Sequence, residues 1–104
     1  MNPKNKYKIK GKVWLYSGMA GWHFMTVPKK QSDTIKKSFS SIKRGWGSLP
    51  VTVTLGKTNW KTSIFPDTKA GAYLLPLKAS VRKREDVREG DTITLSIEIQ
   101  LKYS

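Results

Sequence analysis

Residues 60–83 read WKTSIFPDTKAGAYLLPLKASVRK and contain two strand-like runs joined by a short polar link. The link runs from Asp67 to Gly71, and both ends of it carry residues that favour turns. In the first run, alternate residues share one face of an extended strand because successive side chains point to opposite sides. That face holds Trp60, Thr62 and Ile64. The pattern predicts two neighbouring strands connected by a turn.

The second run, residues 72–83, is predicted to be one longer strand in which Pro76 marks a kink, a bulge or an unpaired edge position. With strand periodicity, Lys78, Ser80 and Arg82 lie on one face, and Leu77, Ala79 and Val81 lie on the other. The segment is therefore expected to supply both core and a cationic surface.

The rest of the chain shows the same period of two. Residues 92–101 give the cleanest case, with aliphatic side chains at every second position. A two-residue connection, Gly56-Lys57, suits a tight hairpin. The predicted strands are residues 7–16, 22–27, 48–55, 58–65, 72–83 and 92–101.

Residues 32–43 depart from this rhythm and predict one amphipathic helix. Ile35, Phe39 and Ile42 fall on one stripe at helical spacing. Ser32 or Asp33 is expected to cap its start, and a glycine, Gly45, to end it.

These elements predict a mostly β fold, a small closed antiparallel barrel of six to seven strands with one helix near residues 32–43. Strands and helices do not alternate along the chain, so a parallel sheet is not expected. A chain of 104 residues has room for one modest core. We expect a single barrel domain over residues 7–101, preceded by a disordered or frayed terminus over residues 1–6.

The charge of the chain is unusual, with 20 Lys and Arg against 7 Asp and Glu and a net charge of +13. Thirteen of the basic residues precede Pro66, where the only acid is Asp33. Such a field attracts polyanions and gives salt-dependent association with nucleic acid. The alternative is a merely solubilising surface. We favour that second reading for Lys6, Lys8, Lys10 and Lys12, which alternate along the first strand and discourage edge pairing.

The composition also restricts which cellular compartment and which cofactors are expected. The chain has no Cys, and no apolar run is long enough to cross a bilayer or serve as a signal core. We therefore expect a cytoplasmic protein without membrane association. We expect no cofactor and no metal, since His23 is the only His.

Catalysis is not expected. His23 lies in an aromatic-rich strand, where a lone His is more often structural than a general base. Thr62-Ser63 lacks the glycine elbow that exposes a nucleophile. Only a cleft joining His23 to a carboxylate would favour a hydrolase.

Binding is the better-supported class of function. Cations and large aromatic side chains are interleaved in a way that suits stacking on bases and contact with phosphates. The candidate polyanion-binding residues are Lys43, Arg44, Trp46, Trp60, Lys61, Lys78 and Arg82. In the alternative that we favour for the two tryptophans, Trp46 and Trp60 are core residues or plugs at a barrel end. In a third, Lys78 and Arg82 face a barrel mouth shaped by Pro76 and Gly71 and hold a small anion.

Several motifs carry a resemblance to a known family, and they extend over nearly the whole chain in family order. They are Arg44-Gly45-Trp46-Gly47, Val51-Thr52-Val53-Thr54-Leu55-Gly56-Lys57-Thr58, Thr62-Ser63-Ile64-Phe65-Pro66, Tyr73-Leu74-Leu75-Pro76-Leu77-Lys78, Val81-Arg82-Lys83 and Gly90-Asp91-Thr92-Ile93. In these the chain resembles domain-of-unknown-function family 1905, a set of small bacterial and archaeal proteins. The resemblance implies a barrel of the double-split type, a class that also contains DNA-binding regulators of the AbrB type. It implies no catalytic residues.

Two classes of function remain open. One is a non-enzymatic module that binds nucleic acid or another polyanion. The other is a small protein- or anion-binding barrel without nucleic acid, linked to bacteriocin or stress resistance, as family members fused to YdeI/OmdA-type domains imply. We expect a monomer or a weak dimer, possible partners being a polyanion or a protein.

Overall fold

The structure, a computed structural model, describes residues 5–18, 21–39 and 47–100. Within these ranges the strands pair antiparallel and close a barrel in the order β1-β2-β5-β4-β3-β6. The elements are β1 (Lys6–Leu15), β2 (His23–Thr26), α1 (Lys29–Ser38), β3 (Leu49–Leu55), β4 (Thr58–Asp67), β5 (Ala72–Pro76), α2 (Ala79–Arg84) and β6 (Thr92–Ile99). This confirms the predicted mostly β, closed antiparallel barrel. Residues 1–4 of the segment expected to be frayed lie outside the described ranges.

Two long strands, β1 and β4, each change partner along their length. The first part of β1, Lys6 to Lys12, pairs with β6, and its last three residues pair with β2. In the same way, β4 pairs with β3 from Thr58 to Ile64 and with β5 from Phe65 onward. Each of these strands therefore has a segment with a strand neighbour on one side only, in the part of the chain that the structure describes.

The two helices lie beside these one-sided segments. On α1, the Gln31 side-chain amide donates to the Lys8 carbonyl oxygen of β1 at 2.9 Å. Near β4, the residues that lead into α2 lie opposite Trp60 and Lys61 across a groove. Each helix thus approaches a strand whose pairing is one-sided, while the described strands together still close the barrel.

Alternate side chains of the strands fill the barrel, as the period of two predicts. Ile9, Val53, Leu75 and Ile97 are fully or almost fully buried members of a single core cluster. Burying a side chain of this kind stabilises the fold by about 1.5–3 kcal/mol. Leu15 departs from this alternation: it follows the buried Val13 by two residues, but it lies at the end of β1 and is exposed.

The predicted strand over residues 72–83 is wrong in its second half. β5 ends at Pro76, and Ala79–Arg84 form the helix α2, in which the Val81 and Arg82 N–H groups both donate to the Lys78 carbonyl. Leu77 and Val81 are buried, but Ala79 between them is exposed. Buried residues that are four apart fit one face of a helix. In a strand, Ala79 would lie on the same buried face as Leu77 and Val81, so its exposure rules the strand out.

Other predicted boundaries also differ. α1 begins at Lys29 and ends at Ser38, and Pro28 occupies the N-cap position, so neither Ser32 nor Asp33 caps the helix. Ile35 and Phe39 are buried as predicted, whereas Ile42 and Gly45 lie outside the described residues. The strand predicted over residues 58–65 continues to Asp67, because Pro66 pairs with Tyr73 and Asp67 with Ala72 in the β4–β5 ladder.

Ser32 instead joins α1 to β5. Its buried hydroxyl donates to the Val27 carbonyl oxygen and accepts from the Tyr73 N–H, both at 3.0 Å. Ser32→Ala removes the acceptor of a buried N–H and is expected to lower the free energy of unfolding by about 1–3 kcal/mol. Urea denaturation measures this value, with Ser38→Ala, an exposed position in the same helix, as the control. Equal effects of the two substitutions would contradict the role given to Ser32.

Candidate binding groove

A groove of about 430 Å³ opens where β4 lacks a second strand neighbour. Its lining comes from β4, from the end of β5 and the start of α2, and from the residues around the start of β2. Its volume is within the range of ordinary ligand pockets. We call it the cationic groove; it is lined by Gly21, Trp22, His23, Trp60, Lys61, Thr62, Phe65, Pro76, Leu77, Lys78, Ala79 and Arg82.

Aromatic side chains give the groove much of its apolar surface. Trp22 is 49% exposed and Phe65 is 43% exposed, so both leave part of the side chain accessible to solvent. Trp60 differs, because it is only 7% exposed and belongs to the hydrophobic core. The interpretation of Trp60 as a core residue is therefore confirmed, although its edge still contributes to the groove.

Arg82 is the most firmly held cation of the groove. Its Nε donates to the Leu77 carbonyl oxygen at 3.0 Å, and Nη2 lies 3.4 Å from the Gly21 carbonyl oxygen. Two of the five guanidinium N–H groups are thus engaged by backbone. The remaining donors are presented by a side chain whose orientation is already fixed, which lowers the entropy lost on binding an anion.

His23 shares the same carbonyl. Its Nδ1 lies 2.8 Å from the Gly21 oxygen, and because a carbonyl only accepts, Nδ1 carries the proton. The ring therefore braces the loop before β2. The lining of the groove contains no Asp or Glu that would complete a base–acid pair with His23, so the condition set for a hydrolase is not met there.

The charge of the groove is of one sign. Lys61 and Lys78 are exposed and join Arg82 around the aromatic surface, with no carboxylate among the lining residues. A second hollow of about 550 Å³, between α1 and the β4–β5 turn, is different because Asp33 and Asp67 line it. There Lys29 lies 3.6 Å from an Asp33 oxygen. The cationic groove is thus the better receptor for an anion.

The structure brings together four of the seven residues predicted to bind a polyanion: Trp60, Lys61, Lys78 and Arg82. Lys78 and Arg82 do so from a helix and its start, and not from alternate positions of a strand. Of the residues expected to shape a barrel mouth, Pro76 lines this groove and Gly71 lines the second hollow. Lys43, Arg44 and Trp46 lie outside the described residues.

Trp22 and Phe65 were not among the predicted binding residues. The signal for Phe65 was available, because Trp60, Thr62 and Ile64 were assigned to the inner face and Phe65 therefore belongs to the outer one. The same holds for Trp22, the first residue of the predicted strand 22–27, because alternation places it on the same face as Phe24, although β2 itself begins one residue later.

Among the described residues, the groups whose pKa the fold shifts are not in the groove. Burial raises the pKa of the Tyr7 and Tyr73 hydroxyls above their ordinary value, and both belong to the core. Those same ranges contain no group of three or more His, Cys, Asp or Glu side chains placed to hold a metal ion. They also contain no helix that is long and apolar enough to cross a membrane.

Comparison with known proteins agrees with the resemblance seen in the sequence. No curated protein matches the chain. The family model described as Domain of unknown function (DUF1905) matches residues 10–97, most of the chain. The match begins in β1, ends in β6 and includes every residue that lines the cationic groove. The chain is therefore a member of the DUF1905 family.

Proposed function

We propose that this protein is a non-enzymatic binding module that takes nucleic acid on the cationic groove. The observation that carries the proposal is the composition of the groove: exposed rings of Trp22 and Phe65 beside Lys61, Lys78 and Arg82, with no acidic side chain in the lining. Rings of this kind stack on bases, and ammonium and guanidinium groups contact phosphates.

The net charge of the chain supports this assignment. At +13 the protein attracts any polyanion at long range, which speeds association but does not by itself define a site. The groove adds a defined place where aromatic faces and cations meet. If the groove is the binding site, removing the lysines that line it weakens binding more than removing lysines elsewhere. A diffuse field would make the two kinds of substitution equivalent.

The test measures oligonucleotide binding by fluorescence anisotropy at several salt concentrations. In Lys61→Gln/Lys78→Gln the dependence of log K on log[salt] is expected to become shallower by about 1.4, since each lost contact with a single strand removes about 0.7. The control is Lys36→Gln/Lys69→Gln, which removes the same charge from two exposed positions outside the groove. No binding at about 50 mM salt, or equal slopes for both variants, would overturn the proposal.

A second candidate function follows from the free side of β4. From Thr58 to Ile64 this strand pairs only with β3 among the described residues, and its other side faces the groove. An extended acidic peptide could add there as a further strand. In that case oligonucleotides would fail to bind, and an acidic peptide would shift the amide NMR signals of Lys61 and Thr62.

A further inference from the structure

The outer face of β1 carries two kinds of side chain in succession. Val13 and the inward residues before it are buried, so the opposite face points to solvent. That outer face consists of Lys6, Lys8, Lys10 and Lys12, followed by Trp14 and then Tyr16 just beyond the strand. A row of cations thus leads into aromatic rings along one strand.

The rings form a cluster around Phe24 of β2. Trp22 stacks on Phe24 with ring centroids 5.8 Å apart and planes inclined at 25°, and Trp14 lies 5.2 Å from it. Tyr16 meets Phe24 edge-on at 6.1 Å. Tyr16 and Trp22 are both more than two-fifths exposed. The cluster therefore lies outside the core and keeps ring surface available to a partner.

This cluster is continuous with the cationic groove. Phe24 pairs with Pro76 across the β2–β5 ladder, and Pro76 and Trp22 both line the groove. The ring cluster therefore adjoins the groove on one side and, through Trp14, the lysine row of β1 on the other.

The surroundings of the lysine row favour phosphates. Lys8, Lys10 and Lys12 lie opposite Ser96, Thr94 and Thr92 of β6, which offer hydroxyl groups and no carboxylate. Lys6 lies opposite Glu98 and is the exception.

The spacing of the row suits an extended strand of nucleic acid. Alternate residues of a β-strand are about 6.6 Å apart, so Lys8, Lys10 and Lys12 place three charges at regular intervals along a line of about 13 Å. Flat exposed rings also need unstacked bases, which a duplex does not offer.

We infer that the ligand is a single strand of nucleic acid, whose phosphates follow Lys8, Lys10 and Lys12 and whose bases stack on Tyr16, Trp22 and Phe65. The inference rests on the proposed function and extends its site from the groove across β2 to β1. It assigns a binding function to lysines that the sequence pattern alone had favoured as solubilising.

The experiment compares a labelled single strand of about 15 nucleotides, near the site size of small barrels, with the matching duplex. The protein is expected to bind the single strand at least about tenfold more tightly, since only that probe can stack its bases. For Lys8→Gln/Lys10→Gln/Lys12→Gln, the salt slope is expected to fall by about 2. Trp22→Ala is expected to weaken single-strand binding by about 5- to 150-fold and leave duplex binding unchanged.

The controls separate this inference from the proposed function. Lys36→Gln/Lys57→Gln/Lys69→Gln removes the same charge from exposed positions off the row, and a slope change as large as that of the β1 variant would overturn the inference. The inference would also be overturned if the protein bound duplex and single strand with equal affinity and Trp22→Ala left single-strand binding unchanged. In both cases Lys61→Gln/Lys78→Gln still reports on the groove. If neither probe binds the wild-type protein, the proposed function fails as well.

Discussion

Trp60→Ala is expected to lower the free energy of unfolding by about 3–5 kcal/mol, the range for removing a large aromatic from a packed core. Trp60 is 7% exposed and lies opposite Val53, which is fully buried, in the β3–β4 ladder. Alanine would leave a cavity at a point where β4 has no second strand to move inward and close it. Chemical denaturation with a two-state analysis gives the value.

The matched substitution is Trp22→Ala. Trp22 is 49% exposed and contacts the cluster mainly through Phe24, so its loss should cost no more than about 1 kcal/mol. Trp60→Phe keeps most of the buried volume and should lie between the two. If Trp60→Ala proves no more costly than Trp22→Ala, Trp60 is not a core residue and its ring belongs to the binding surface.

The barrel could be predicted because each strand has one buried face. In β6, Leu95, Ile97 and Ile99 alternate with polar residues and all three are buried. The same reasoning failed at residues 77–84, because apolar side chains four residues apart fit both the periodicity of a strand and that of a helix. Only the exposure of Ala79 separates the two, and exposure is a property of the folded chain.

The groove was less predictable than the fold because it depends on which strands are neighbours. Trp60 and Lys61 were predicted as binding residues from their composition, yet only the one-sided pairing of β4 places them beside α2. Phe24 shows the same limit, since its contact with Trp14 follows from the register of β1 and β2. Alternation along one strand predicts which residues share a face, whereas the pairing between strands determines which residues that face contacts.

Ile35→Ala is expected to lower the free energy of unfolding by about 2–5 kcal/mol. Ile35 has no exposed surface, whereas most of α1 is exposed, so this side chain provides much of the apolar contact that holds the helix. A helix of ten residues is too short to be stable by itself in water, so its order depends on docking to the barrel. Thermal unfolding followed by far-UV circular dichroism should show a fall in Tm of about 10 °C or more.

Lys37→Ala is the control, because it changes an exposed position of the same helix and should alter stability by no more than about 0.5 kcal/mol. Hydrogen exchange adds a second test of how α1 is coupled to the barrel. Since α1 lies beside the one-sided segment of β1 and bonds to Lys8 through Gln31, loosening the helix should also lower protection in β1. Protection lost in α1 alone, with β1 and the unfolding midpoint unchanged, would mean that the helix only rests on a barrel that is stable without it.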